Sequence, residues 1–129
     1  MLGSVIWTVI RLNCMKNARV IKAYQASDPE PLVIRAGERL TVGENSDQWP
    51  AYVWCVNQAG KGGWVPEAFL EREGDSGVAR RDYSAAELTV SVGEELVLGE
   101  KAGGWFWATN RANCSGWVPA EYIMTNPKE

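Results

Sequence analysis

The residues that could carry chemistry in this sequence are cysteines, carboxylates and aromatic rings, because the chain contains no histidine. Without histidine it lacks the commonest general base and metal ligand, and also any Ser–His or Cys–His nucleophile pair. Cys14, Cys55 and Cys114 are odd in number and too far apart for a zinc-binding spacing. No carboxylate pair lies in a motif that indicates acid–base catalysis. We therefore predict that the protein is not an enzyme and has no catalytic residues, no metal site and no cofactor.

The aromatic residues are the remaining candidates, and they belong to an internal repeat. Seven tryptophans exceed what a chain of 129 residues needs for its cores, and surplus aromatic surface is typical of an interface. The motif Gly-Trp-Val-Pro occurs twice, within a longer series of matches in one order. The matched blocks are residues 24–26 with 83–85, 31–34 with 87–90, 37–44 with 93–100, 52–57 with 105–110, and 63–66 with 116–119.

The repeat predicts the domain organisation. The expected parts are an N-terminal extension over residues 1–18, a first module over 19–71, a polar linker over 72–77, a second module over 78–124 and a tail over 125–129. Two interpretations of the extension remain open. Either Met15 is the true start, or the β-branched run at residues 5–10 forms an extra strand.

Each copy has the pattern of short β-strands joined by turns. Leu40 and Val42 alternate with polar residues, as do Leu96 and Leu98, and no segment has a helical period. Cys55 stands where the second copy has alanine, which predicts a buried thiol, whereas Cys114 is expected on an exposed hairpin tip. The predicted core consists of Val20, Leu32, Ile34, Leu40, Val42, Cys55, Val65 and Leu70, and of Ala79, Leu88, Val90, Leu96, Leu98, Ala108, Val118 and Ile123.

Five short strands in this order resemble the SH3 family. The second copy carries the family motifs as Ala-Arg-Arg-Asp-Tyr at 79–83, Glu-Leu at 87–88, Gly-Glu-Glu-Leu at 93–96, Trp-Phe at 105–106 and Gly-Trp-Val-Pro-Ala-Glu-Tyr-Ile at 116–123. The whole is similar to a bacterial protein with two variant SH3 modules. The resemblance implies an all-β fold of two tandem SH3-like small five-stranded β-barrels.

The resemblance also implies a function, which is to bind an extended protein segment in an aromatic groove, with proline-rich segments as one candidate ligand class. The implied peptide-binding residues are Tyr83, Glu87, Trp105, Trp117, Pro119 and Tyr122 in the second copy, and Tyr24, Tyr52, Pro66 and Phe69 in the first. Both copies depart from the family pattern at one position. Where the family motif has its first tyrosine, the first copy has Lys22 and the second has Arg81. Trp54 and Trp107 are open to two interpretations, an extension of the binding surface or packing.

Charge and hydropathy limit the classes of partner that we expect. The net charge is −3 without a basic run, so we expect neither nucleic acid nor membrane as a partner. The apolar run at residues 5–10 is too short for a signal peptide or a membrane span, and we expect a cytoplasmic protein. The alternatives are a structural pair of modules whose grooves bury each other, a homodimer, or a cell-wall-binding SH3-like protein.

Overall fold

The computed structural model describes residues 16–125, which form β-strands and two single turns of 3-10 helix. No helix in that range is long and apolar enough to cross a membrane. The strands are β1 Lys16–Val20, β2 Val33–Ile34, β3 Arg39–Asn45, β4 Tyr52–Val56, β5 Gly62–Pro66, β6 Leu70–Glu73, β7 Ser76–Ala79, β8 Tyr83–Ser84, β9 Glu95–Ala102, β10 Trp105–Thr109, β11 Ser115–Pro119 and β12 Ile123–Thr125. The 3-10 turns are Glu67–Phe69 and Ala120–Tyr122. The all-β prediction is confirmed.

The chain divides into two compact units. The continuous unit is Ser27–Glu87, and the discontinuous unit combines the chain up to Ala26 with the chain from Leu88 onwards. The continuous unit holds a five-stranded sheet in the order β5-β4-β3-β7-β6, and the discontinuous unit holds one in the order β11-β10-β9-β1-β12. When the strands are matched through the sequence repeat, the two orders are the same.

The first strand of each copy lies in the sheet of the other copy. β1 pairs antiparallel with β9 and with β12, where Val20 stands opposite Ile123. β7 pairs with β3 and with β6, where Ala79 stands opposite Leu70. The compact units therefore do not follow the predicted modules, residues 19–71 and 78–124, because each unit takes its first strand from the other copy.

The turn between β6 and β7 accounts for this exchange. Only Gly74 and Asp75 separate the two strands, and Glu73 pairs directly with Ser76. A two-residue connection joins neighbouring antiparallel strands, so β7 must fold back onto β6. The six residues expected to form a linker, 72–77, instead belong to this hairpin. With its own place in the first copy's sheet taken by β7, β1 completes the sheet of β9 to β12.

The chain passes between the units twice, once after Ala26 and once after Glu87. Short pairings flank the two passages. Val33 and Ile34 of β2 pair with Ser84 and Tyr83 of β8 inside the continuous unit. The matching contact in the discontinuous unit is an antiparallel bridge between Tyr24 and Val90.

The core prediction is confirmed, since all sixteen predicted residues are buried. Alternation along the strands explains this, because β3 and β9 bury Leu40, Val42, Leu96 and Leu98 and expose the residues between them. Cys55 is buried and Cys114 is exposed, as predicted. The hydrophobic core also contains five residues that the prediction left out: Ala18, Tyr52, Val53, Tyr83 and Trp117.

Parts of the predicted termini lie outside the described residues. These include the apolar run at residues 5–10, Cys14 and Met15. Residues 16–18, expected in the extension, belong to β1, and Thr125, expected in the tail, ends β12.

Candidate functional site

Three aromatic rings of the discontinuous unit form a cluster, called here the half-buried cluster: Tyr24, Trp105 and Tyr122. The Tyr24 ring lies 5.6 Å from the Trp105 ring and 5.7 Å from the Tyr122 ring, measured between centroids. Both contacts are edge-to-face, the geometry that aromatic quadrupoles favour. All three side chains are half-buried, so each leaves part of its surface exposed, and Tyr24 and Tyr122 also pack against the unit's core.

Three elements place these rings together. β10 begins at Trp105, which pairs with the buried Pro119 at the end of β11. Proline ends the ladder, and the 3-10 turn that follows carries Tyr122. The Ala120 N–H donates to the carbonyl of Gly104 at 2.9 Å, which ties this turn to the start of β10.

A cation lies against the half-buried cluster. The Lys22 Nζ is 4.7 Å from the centroid of the Tyr122 ring, within the range of a cation–π interaction. The continuous unit repeats this arrangement, with the Arg81 guanidinium carbon 4.2 Å from the Phe69 centroid. Lys22 and Arg81 are the residues at the position where the SH3 pattern has its first tyrosine, so both units hold a cation in its place.

The corresponding rings of the continuous unit, Tyr52, Phe69 and Tyr83, are called here the buried cluster. Tyr52 and Tyr83 are only 6% and 7% exposed. The Tyr83 ring lies 5.6 Å from the Phe69 ring, and its hydroxyl donates to the Trp64 carbonyl at 3.1 Å. Burial raises the pKa of both tyrosines above its ordinary value. This cluster is packed and hydrogen-bonded, and it leaves less ring surface accessible than the half-buried cluster does.

The structure groups the predicted site residues differently from the sequence repeat. Tyr83 was expected beside Trp105 and Tyr122, but it packs against Phe69. Tyr24 was expected with the first copy, but it joins Trp105 and Tyr122. The cause is the strand exchange, since Tyr24 follows β1 and Tyr83 follows β7. Pro119 and Pro66 keep their expected partners and pair with Trp105 and Tyr52.

Two further residues that were predicted to bind the peptide, Trp117 and Glu87, make contacts within their own units. Trp117 is 5% exposed, and its ring lies 5.3 Å from that of Trp107. Glu87 belongs to the continuous unit, where its Oε1 accepts hydrogen bonds from the backbone N–H and the hydroxyl of Ser27 at 2.9 and 3.0 Å.

The sequence analysis left Trp54 open between an extension of the binding surface and packing, and it did not identify the exposed pair that Trp54 forms with Trp64. Trp54 and Trp64 face each other across β4 and β5 with ring centroids 5.1 Å apart, and they are 41% and 42% exposed. Gly62 permits this arrangement, because a Cβ there would overlap the Trp54 indole. The sequence contained a signal for this pair. The two tryptophans lie on either side of a predicted hairpin turn, at positions that stand opposite each other when the two strands pair antiparallel.

One ion pair holds the loop after the first passage in place. The Lys61 Nζ lies 2.8 Å from the Asp28 carboxylate, and the two side chains are 40% and 43% exposed. The hydrogen bond from Lys61, followed by the one from the Glu30 N–H, lowers the pKa of Asp28. In the continuous unit this carboxylate is therefore held by Lys61.

Comparison with known proteins supports the all-β class of the fold. Residues 18–73 match the family model of the variant SH3 domain, and no curated protein matches the chain. The matched stretch runs from β1 to the end of β6, so it is one sequence copy and not one compact unit. Over residues 18–73 the chain is similar to the variant SH3 domain, a member of the SH3 family of protein-interaction modules.

Proposed function

We propose that this chain is a non-catalytic interaction module that binds an extended protein segment at the half-buried cluster. The observation that carries the proposal is the contact geometry of Tyr24, Trp105 and Tyr122, three rings in edge-to-face contact that remain half-buried. The grooves between such rings suit the ridges of a polyproline II segment. Because that conformation is already ordered when free, the ligand loses little entropy on binding.

The continuous unit favours a different role for its own aromatic residues. Tyr52 and Tyr83 are buried, and the Tyr83 hydroxyl already has a backbone partner. A ligand could reach these rings only if the cluster opened. We therefore assign the continuous unit a structural role, in which it completes the fold and holds the two chain passages.

An amide-shift titration of the full chain with a proline-rich peptide library tests the binding site. We expect shifts to cluster at residues 22–24, 105 and 120–122, because these residues surround the three rings. Trp105→Ala should abolish the shifts, since it removes the largest ring of the surface. Trp54→Ala is the matched control, because it removes an exposed tryptophan from the other unit and should leave the shifts unchanged.

Two outcomes of this titration would contradict the proposal. One is a set of shifts that survives Trp105→Ala. The other is a set centred on Tyr83 and Phe69, which would place the ligand on the buried cluster.

A further inference from the structure

We infer that the segment bound at the half-buried cluster carries acidic residues beside its prolines, and that Lys22 recognises them. This inference rests on the proposed function, and it adds the charge class of the partner. It is carried by the position of one cation and by how the carboxylates of the discontinuous unit are engaged.

Lys22 is placed to meet a ligand that lies on the rings. Its Nζ is 4.7 Å from the Tyr122 centroid, and the Tyr122 ring is in turn in contact with Tyr24. The lysine is exposed, so its ammonium group is not enclosed by the unit. An ammonium group on a ring face keeps N–H donors for an incoming acceptor. A segment crossing Tyr122 and Trp105 would therefore pass beside a positive charge.

The chain segment that bears Lys22 holds no carboxylate that could offset this charge. Residues 16–26 contain no aspartate or glutamate. In the described part from Leu88 onwards, the Glu94 carboxylate accepts from the Ser91 N–H at 3.0 Å, and Glu95 pairs with Arg19 and Arg111. The two other carboxylates of this part, Glu100 and Glu121, are exposed, and Glu121 is next to Tyr122 in the chain, so a test of this charge balance has to include Glu121.

The acidic residue expected from the SH3 pattern, Glu87, lies in the other unit and forms its hydrogen bonds there. Glu87 would have supplied negative charge to a groove around Trp105, but it lies in the continuous unit and accepts two hydrogen bonds from Ser27. The exchange thus brings Lys22 to the rings of the second copy. The sign of the charge favours a carboxylate on the partner, not an arginine or lysine.

Three peptides distinguish these charge classes. Each has the same proline-rich core, flanked by glutamates, by serines or by arginines, and each is titrated into the full chain while tryptophan fluorescence is followed. We expect the glutamate-flanked peptide to bind about fivefold tighter than the serine-flanked one at low salt, the size of one exposed ion pair. The ratio should fall towards one as salt is added, because exposed charges are screened.

Charge reversal identifies the residue responsible. Lys22→Glu should invert the order, so that the arginine-flanked peptide binds most tightly. Lys16→Glu is the matched control, because it makes the same charge change at the far end of β1, about 13 Å along the strand from Val20. It should leave the order unchanged. Glu121→Gln should strengthen binding of the glutamate-flanked peptide.

The outcomes separate this inference from the function on which it rests. If none of the three peptides binds, the proposed function fails and the inference fails with it. If the peptides bind equally, if the arginine-flanked peptide binds most tightly, or if Lys22→Glu leaves the order as it was, the charge assignment is overturned and the binding site stands.

Discussion

Cys55 on β4 and Ala108 on β10 occupy matching places in the two sheets, and neither has any exposed surface. A thiol in such a place behaves as a small apolar side chain. Burial raises the pKa of Cys55 from 9.0 to about 11, against a smaller opposing effect of the Arg72 charge. The native state therefore holds this proton more tightly than the unfolded state does.

This difference predicts how stability depends on pH at the level of one residue. The contribution of Cys55 is fully present below pH 9.0 and is lost as the pH rises to about 11, so the free energy of unfolding should fall over that range. Cys55→Ala should make this fall shallower, as measured by urea unfolding at several pH values. Cys114→Ala, which removes an exposed thiol, is the control and should leave the slope unchanged.

Tyr52 and Tyr83 add to the same fall, because the tyrosines of the unfolded chain begin to lose protons near the ordinary value of 10.0, whereas burial raises the pKa of both in the native state. The slope that remains in Cys55→Ala is therefore expected to keep its sign. An equal slope in Cys55→Ala and in the wild type would contradict the assignment to this thiol.

At the scale of the element, the turn that precedes β9 requires a glycine. Gly93 has φ of 90°, a backbone conformation that side chains with a Cβ rarely adopt, and its N–H donates to the Val20 carbonyl at 2.8 Å. Gly93→Ala should lower the free energy of unfolding by about 1–2 kcal/mol, in urea denaturation. Gly37 has φ of 87° at the matching place in the first copy.

Gly99→Ala is the control for this prediction. Its φ is not in the left-handed region, and a Cβ there would meet the Trp107 carbonyl at an ordinary 3.5 Å. We expect the cost to stay within about 0.5 kcal/mol, the usual range for surface substitutions. Equal losses for Gly93→Ala and Gly99→Ala would show that the backbone of the Gly93 turn is not the cause.

The elements themselves were predictable from the sequence, but the partner of each first strand was not. Val20 and Ala79 were both predicted as core residues, because each is the apolar residue at the matching place of its copy, and the structure places Val20 opposite Ile123 and Ala79 opposite Leu70. Hydrophobic pattern alone cannot choose between two equivalent places. The choice lies in the length of the Gly74-Asp75 turn, which the repeat suggested was part of a linker.

The same ambiguity limited the prediction of the site. The residue types of the two clusters followed from the repeat and the resemblance. The grouping of these residues could not be predicted in the same way. Tyr24 and Tyr83 come just after the exchanged strands, so each lies in the unit that contains that strand. The burial of Tyr52 and Tyr83 depends on packing in three dimensions that a strand pattern does not specify.

At the scale of the whole molecule, the exchange predicts which fragments fold. A fragment of residues 27–87 contains all strands of its sheet and should give a dispersed amide spectrum and a cooperative urea transition. A fragment of residues 78–124 lacks β1, which pairs with both β9 and β12, and should not fold on its own. A module near this size is marginal even with its strands complete.

A fragment of residues 19–71 makes the same test on the other sequence copy, because it lacks β7. It should also fail to fold. Cooperative unfolding of the 19–71 and 78–124 fragments as monomers would contradict the exchange, since it would mean that each copy closes on its own first strand.

The tight turn between β6 and β7 also determines what a single chain break would do. Cleavage between Gly74 and Asp75 would leave two pieces, each carrying one copy of the repeat and each lending its first strand to the other's sheet. Neither piece could depart without two sheets losing a strand at once. The nicked protein would thus behave as a reciprocal pair of polypeptides, the assembly that two single-copy chains would make by exchanging arms.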